Sequence, residues 1–285
     1  MASSIILFPL VVLLLALAIT SPLQQTRYTG RKVFVIGLSR TGTTSLGDAL
    51  ASLSLRRSGW NDIHSRHLYH MFAANRTAPL ISYARKYDAL EDLPWALAYK
   101  HLATAFPDAR FILTTRMNET NWLQSMERHT ERREWIGNKK TFGCKKVCGE
   151  KCRETFLETY REHNKEVRKF FEEEGQGRLL EIVIDAPTER KSIKTGDANI
   201  TAVDVKWVSL IEFLGLEKEV DRKGGWGKLG SFPKSNAGNR ARNFQNRIEN
   251  AWSRAMNAFE EGTLKGVQSA VALVKGLSHL TAIGL

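Results

Sequence analysis

The residues best placed to do chemistry lie in Lys32–Leu46, KVFVIGLSRTGTTSL. Gly37 and Gly42 bracket Ser39, Arg40 and Thr41, and Thr43 and Thr44 follow. A glycine turn between a strand and a helix aims backbone N–H groups and a helix N-terminus at one point, which favours an anion. The two glycines have the spacing of a Walker A loop, G-x-x-x-x-G-K-[ST], but Thr43 stands where the lysine belongs. The cation is Arg40, inside the turn. Positive charge therefore lies beside the cradle rather than at the helix start. That argues against a kinase or NTPase that depends on the Walker lysine.

The elements that must position this loop are legible in the apolar pattern. Lys32–Gly37 is a β-rich run of the kind covered on both faces, and helical spacing resumes from Ser45. Tyr87–Leu93, Arg110–Arg116 and Arg178–Ile184 read as further strands. Helices are expected from Pro94 to Phe106 and over Asn118–His129, Arg153–Glu174, Val203–Leu214 and Arg240–Glu260. Arg56–Asn75 reads as a loop or irregular helix rather than a sheet strand, and Lys191–Thr201 and Glu217–Asn239 read as loops. Alternating β and α units predict an α/β protein: a P-loop NTPase-like three-layer fold with a central parallel sheet flanked by helices. Ligands of such sheets bind at the C-terminal ends of the strands, which singles out Arg116 at the end of RFILTTR.

With 285 residues the chain can bury a real core, and one domain with appendages is the default. Its net charge of +12 favours anionic partners. Ile5–Ile19 is apolar and short for a span, which needs ~20 residues. Ala16 and Ala18 form a cleavage-type pattern. Residues 1–20 are read as a signal peptide or short membrane anchor, 21–31 as a stem, 32–239 as the P-loop domain and 240–285 as C-terminal helices. A secretory location, the Golgi lumen, with the protein membrane-anchored or secreted, is the expectation, and it argues against nucleic acid as a partner. Sequons at Asn75, Asn118 and Asn199 agree with a glycoprotein. Cys144, Cys148 and Cys152 predict a local disulfide with one thiol left over, the pairing being open. His64, His67 and His70 have helix-face spacing but no carboxylate or cysteine set completes them, and no metal is expected.

Several ordered segments resemble the P-loop sulfotransferase family, whose members carry a G-x-P-R-T-G-T-T-S-L loop. GLSRTGTTSLGDALASL is similar to that opening, with Ser39 in place of its proline. Tyr69-His70-Met71 resembles its Tyr-His-Met segment, Asp92-Leu93-Pro94 its Asp-x-Pro element, and FPDARFILTTR its strand ending in arginine. Phe213-Leu214-Gly215 and Phe232-Pro233-x-x-Asn236 resemble its C-terminal signature. Agreement of several elements in order outweighs any one motif. The family serine eight residues after the arginine is replaced by Gln124, and Ser125 follows it. Cys144–Cys152 and Glu217–Gly230 look like additions. The second contains Arg222-Lys223-Gly224-Gly225-Trp226-Gly227, which resembles the element that holds the nucleotide 3′-phosphate in cytosolic sulfotransferases.

The resemblance implies transfer of a sulfonate group from 3′-phosphoadenosine 5′-phosphosulfate (PAPS) to a hydroxyl or amine. The acceptor would be an acidic or hydroxyl-bearing glycan or a small molecule, and the N-terminal segment, if uncleaved, would meet the membrane. By the same resemblance Ser39, Arg40, Thr41, Gly42, Thr43 and Thr44 hold the 5′-phosphosulfate, and Arg40 offsets charge on the moving group. Arg116 and Ser125 bind the 3′-phosphate. Asp92 is the first candidate for general base, with Glu91 and His70 as alternates, although Asp92 could equally cap a helix starting at Pro94. Trp60, Tyr69 and Trp95 could line an acceptor pocket or pack in the core. The rival readings are a catalytically degenerate anion- or glycan-binding module and a P-loop kinase or NTPase.

Overall fold

A computed structural model describes residues 30–60, 62, 64–132, 135–174, 177–195, 199–223 and 225–235. The expected signal or anchor, most of the stem, Asn236 and the C-terminal helices lie outside these residues. Five strands form the main sheet: β1 Val33–Val35, β2 Arg57–Ser58, β3 Ala89–Glu91, β4 Arg110–Thr115 and β5 Leu179–Val183. All pairings are parallel, in the order β2-β3-β1-β4-β5. The chain leaves β1 toward the β2 edge, returns through β3 and crosses to β4 on the other side. That change of direction leaves a crevice at the C-terminal end of β1, where ligands of such sheets bind.

Strand side chains alternate between two cores, as a period of two requires. Val33 and Val35 of β1 and Ile112 of β4 enter one apolar cluster, with Leu46 and Leu50 of helix α1 (Thr43–Ser52) and Trp207 and Ile211 of helix α8 (Val205–Leu214). Phe34, Ile36, Phe111 and Leu113 enter the other. There they meet helices α2 (Ser65–Ala73), α3 (Ala78–Ala84), α4 (Tyr99–Ala105) and α7 (Gly149–Glu173). Helices on both faces of a parallel sheet make three layers. A third cluster sits over the strand ends. It joins Leu38 and Leu93 to Trp122 of α5 (Glu119–Arg132) and Phe142 of α6 (Ile136–Phe142).

Four expectations need correction. Arg56–Asn75 does contribute a strand: β2 is the sheet edge, paired to β3, and α2 follows it. Two residues are too few to show a period, so the pattern missed them. No helix starts at Pro94. Residues 94–97 form turns, with Ala96 N–H donating to Asp92 O at 3.0 Å, and α4 begins at Tyr99. Within 191–201, residues 191–195 and 199–201 lie in an antiparallel strand pair, β6 Arg190–Thr195 with β7 Asn199–Asp204. In β6 only Ile193 is apolar, so alternation was faint. Glu217–Asn239 holds a short helix α9 (Glu217–Arg222) and a 3₁₀ turn at Trp226–Lys228. The strand pair leads into α8, where Asp204 Oδ1 accepts from Lys206 N–H at 2.9 Å and Gly215 closes the C-terminus at φ 68°.

Phe111 is the hub of the second core. It is fully buried, with ring centroids 5.4 Å from Phe34 and 4.7 Å from Phe171. We expect Phe111→Ala to lower unfolding free energy by about 3–5 kcal/mol, measured by denaturant titration. A loss under ~1 kcal/mol would mean the strand is not packed between helices as described.

Candidate active site

The loop from Gly37 to Thr44 fills the crevice at the end of β1. It fits because Gly37 has no side chain: a Cβ there would lie 2.1 Å from Thr114 Oγ1 and 2.4 Å from Thr114 O. Thr41 closes the turn inward. Its hydroxyl donates to Leu38 O at 2.6 Å and its N–H to the same oxygen at 3.2 Å. The 2.7 Å contact between the Thr41 and Thr114 hydroxyls then has Thr114 as donor. Thr41 therefore holds the loop to β4, and its hydroxyl faces the fold rather than a ligand.

Gly42 is the N-cap of α1, at φ 92°, and no side chain caps the helix there. A Cβ on Gly42 would lie 2.5 Å from Ile184 Cγ1. The first turn of α1 has no acidic residue, so its N–H groups and positive dipole end suit an anion. Thr44 is half-buried in this turn. Arg40 takes φ 72° and Asp92 φ 65°, conformations unusual for residues with side chains. Such conformations cluster where a loop must present specific groups.

Asp92 follows β3 and lies directly against the loop. Its Oδ1 accepts from Ser39 Oγ at 2.6 Å and from Leu93 N–H at 2.8 Å, and its Oδ2 accepts from Thr43 Oγ1 at 3.2 Å. With no helix at Pro94, it caps none. Burial pushes its carboxyl above the ordinary value, against the pull of these hydrogen bonds and of Arg40. Arg40 Nε donates to Ser125 Oγ at 3.2 Å. Ser125 is 4% exposed, whereas Gln124 faces solvent, so the helix phase brings Ser125 to the loop. Arg116 Nε donates to Arg40 O at 2.9 Å, and its Nη1 is 3.5 Å from Asp185 Oδ2. The structure thus joins Ser39, Arg40, Thr43, Asp92, Arg116 and Ser125.

Other expected residues fall elsewhere. His70 sits on α2 beside Tyr69, with ring centroids 5.7 Å apart. Trp95 is fully buried in the second core. The Trp60 ring packs 4.7 Å from Trp135, and the Arg66 guanidinium covers it at 5.6 Å. Tyr69 is likewise buried. The basic element at 222–227 is remote from the loop. Lys223 Nζ donates to Ser54 Oγ at 2.7 Å, beyond the far end of α1, about 15 Å along a ten-residue helix. Arg222 pairs with Glu219. Among the cysteines, Cys144 pairs with Cys152 and Cys148 is free.

The sequence pattern did not single out the groups that brace the loop. Trp122 Nε1 donates to Ser39 O at 3.0 Å and stacks on Tyr160 at 4.3 Å, and Tyr160 OH accepts from Arg116 N–H. His163 Nε2 donates to Ile36 O at 2.7 Å, and burial lowers its pKa to about 4, so the ring is neutral at pH 7. These residues come from α5 and α7, far along the chain, and no local spacing marks them.

Glu91, the last residue of β3, is 4% exposed under α1. Arg57 Nη1 donates to its Oε1, but Oε2 has no partner among the described residues and presses on Gly47. Burial first, opposed by Arg57 and assisted by the Asp92 and Asp48 charges, raises its pKa to about 8 from 4.5. Between these values the folded chain holds a proton that the unfolded chain has lost. Stability contributed by Glu91 is therefore present at low pH and declines as pH rises from 4.5 to about 8. Thermal midpoints across this window should fall with pH, and Glu91→Gln should flatten the fall. An unchanged slope in the variant would contradict a buried, protonated Glu91.

No helix among the described residues is long and apolar enough to cross a membrane. A sequence model of the sulfotransferase domain matches residues 32–189, more than half of the chain. Over 109 residues the chain is 32% identical to Ava biosynthesis cluster protein M of Aspergillus versicolor. That stretch is 34% of this chain and 42% of that protein, so the chain spans less than half of the relative's length. The matched region contains the whole loop, Asp92, Arg116 and all five strands of the sheet. The chain belongs to the sulfotransferase-domain family.

Proposed function

We propose that the protein transfers a sulfonate group from PAPS to a hydroxyl of a glycan in the secretory pathway. The observation that carries this reading is the convergence of Arg40, Arg116 and Ser125 on an uncapped helix N-terminus, with Asp92 against the same loop. The residues fit a phosphosulfate donor. Gly37 and Gly42 keep the cradle clear of side chains, and the first-turn N–H groups and the Thr44 hydroxyl can bind the 5′ end. Arg116, fixed at the end of β4, suits the 3′-phosphate as a forked donor, with Ser125 beside it. Bound there, PAPS supplies an activated S–O bond that breaks as the acceptor oxygen bonds to sulfur.

The chain's own groups position the reactants and manage charge. Arg40 offsets negative charge that builds on the transferring group and the departing phosphate. Asp92 accepts the acceptor's hydroxyl proton. Its raised pKa brings it closer to the operating pH, where a general base works best. The Ser39 hydrogen bond keeps the carboxylate aimed at the loop. The Cys144–Cys152 disulfide favours an oxidising compartment, and the sequon residues Asn75 and Asn118 are exposed, both in keeping with a lumenal enzyme. Whether residues 1–20 are cleaved or anchor the protein is separate from the chemistry.

Titration with 3′-phosphoadenosine 5′-phosphate (PAP) against ATP, with transfer assays on a glycan panel, tests the reading. PAP should bind in preference to ATP, and turnover should follow. Binding without turnover on any acceptor would favour the degenerate module. Arg40→Ala should abolish transfer while leaving the thermal midpoint near that of the parent; full activity would remove Arg40 from the site.

Asp92→Asn should lower kcat by about 10²–10⁴ while PAP affinity stays within a few-fold. The parent's rate should fall as pH drops through the Asp92 pKa, at a higher pH than the ordinary carboxylate value of about 3.9. An acid limb that persists in Asp92→Asn would assign the base elsewhere.

A further inference from the structure

The chain between α5 and α7 forms a strap closed by the Cys144–Cys152 disulfide. It is well anchored. Phe142 is 1% exposed and Val147 7% exposed. Asn138 Nδ2 donates to Lys145 O at 2.9 Å, Val147 N–H donates to Thr130 Oγ1 at 3.1 Å, and Tyr69 OH donates to Gly137 O at 2.9 Å. The strap is also tied to the loop. The Phe142 ring lies 6.1 Å from Trp122, whose indole N–H holds Ser39 O. Phe142 and Trp122 thus connect the strap to the backbone of the loop.

On this base Lys139, Lys140, Lys146 and Lys151 are exposed. None of the four is in an ion pair with a described residue; the ion pair nearby joins Arg153 to Glu127. The rest of α7 shows what an ordinary solvated basic face looks like in this protein. There Arg161 pairs with Glu119 and Glu154, Lys165 with Glu162, Arg168 with Glu181 and Lys169 with Glu173. Between positions 139 and 153 the sequence has one acid, Glu150, and Glu134 precedes this stretch. Unpaired ammonium groups held near one another by a cross-link repel, and an added anion relieves that repulsion.

We infer that this strap binds an anionic glycan chain, carboxylated or sulfated, and presents it to the loop as acceptor. Delivery as acceptor rests on the sulfotransferase reading; binding of the glycan does not. Ammonium groups on flexible stems act as point charges and suit a polyanion of variable pattern better than one fixed bidentate group. The surface does not suit the other polyanions. Met117 is the exposed large apolar side chain among the described residues, so the strap has no aromatic platform for unstacked bases. Among the described residues it likewise offers no exposed large apolar side chain to insert among lipids.

The test uses the full chain and the variant K139A/K140A/K146A/K151A, with heparin as the probe. Calorimetry at stepped salt should show heparin affinity reduced by about tenfold or more in the variant, with a shallower salt dependence. PAP affinity and thermal midpoint should match the parent. With an anionic glycan acceptor KM should rise while kcat holds. The matching quadruple Lys→Arg variant should retain heparin binding. Unchanged heparin affinity and salt slope in the alanine variant would overturn the inference. So would loss of binding in the arginine variant, or equal parent affinity for duplex DNA or anionic phospholipid vesicles at the same ionic strength. If the parent binds heparin through the strap but neither binds PAP nor transfers sulfonate, the enzyme reading fails and the glycan surface stands.

Discussion

The close approach of Gly37 to Thr114 sets the rest of the site. Backbone meets strand with no room for a Cβ, and the Thr41 hydroxyl, Leu38 carbonyl and Thr114 hydroxyl lock the contact. With that contact made, the loop must turn away from the sheet. The turn carries Arg40 and Gly42 through positive φ and starts α1 with open N–H groups. Arg116 then reaches the Arg40 carbonyl from the end of the same strand that pins Gly37. One steric constraint between β1 and β4 thus decides where the anion cradle forms and which cations flank it.

Around this cradle the charges oppose one another by design of the packing. Positive groups flank it: the helix N-terminus, Arg40 and Arg116. Carboxyl groups lie beneath and beside it, Asp92 against Ser39 and Thr43, Glu91 under Gly47. Burial disfavours charge on both carboxyls, and the Asp92 charge raises the Glu91 pKa further. A carboxyl held part-way to neutrality beside an anion site is less repulsive to the donor than a fully ionised one. The neutral His163, bonded to Ile36 O, adds rigidity without adding charge.

The strap extends this logic to the surface. Its aromatic underside belongs to the cluster that contains Leu38, so its position follows from the same apolar packing that supports the loop. Its outer side bears Lys139, Lys140 and Lys146, which have no acidic partner among the described residues, while farther along α7 Lys165 and Lys169 pair within the helix and Arg168 pairs with Glu181 of β5. Two neighbouring basic stretches therefore have different electrostatic characters, because α7 carries glutamates among its basic residues and positions 139–149 carry none.

The sequence alone determined the loop, the strands β1, β3, β4 and β5 of the parallel sheet and the layer type. Those features depend on local pattern: apolar runs, two glycines five residues apart, and Arg40 in place of the Walker lysine. It also ordered the family elements well enough to name the residues that now meet at Arg40. Tertiary structure decided what local pattern cannot carry. The edge strand β2 exists because β3 offers it hydrogen bonds, and the polar strand β6 because β7 does. Ser125 rather than Gln124 faces the loop because helix phase, not residue count, sets direction. The element at 222–227 matches a nucleotide motif in letters but lies beyond the far end of α1. Spacing along the chain fixes neighbours only within an element; between elements, packing fixes them, and Trp122, Tyr160 and His163 reach the loop by that route alone.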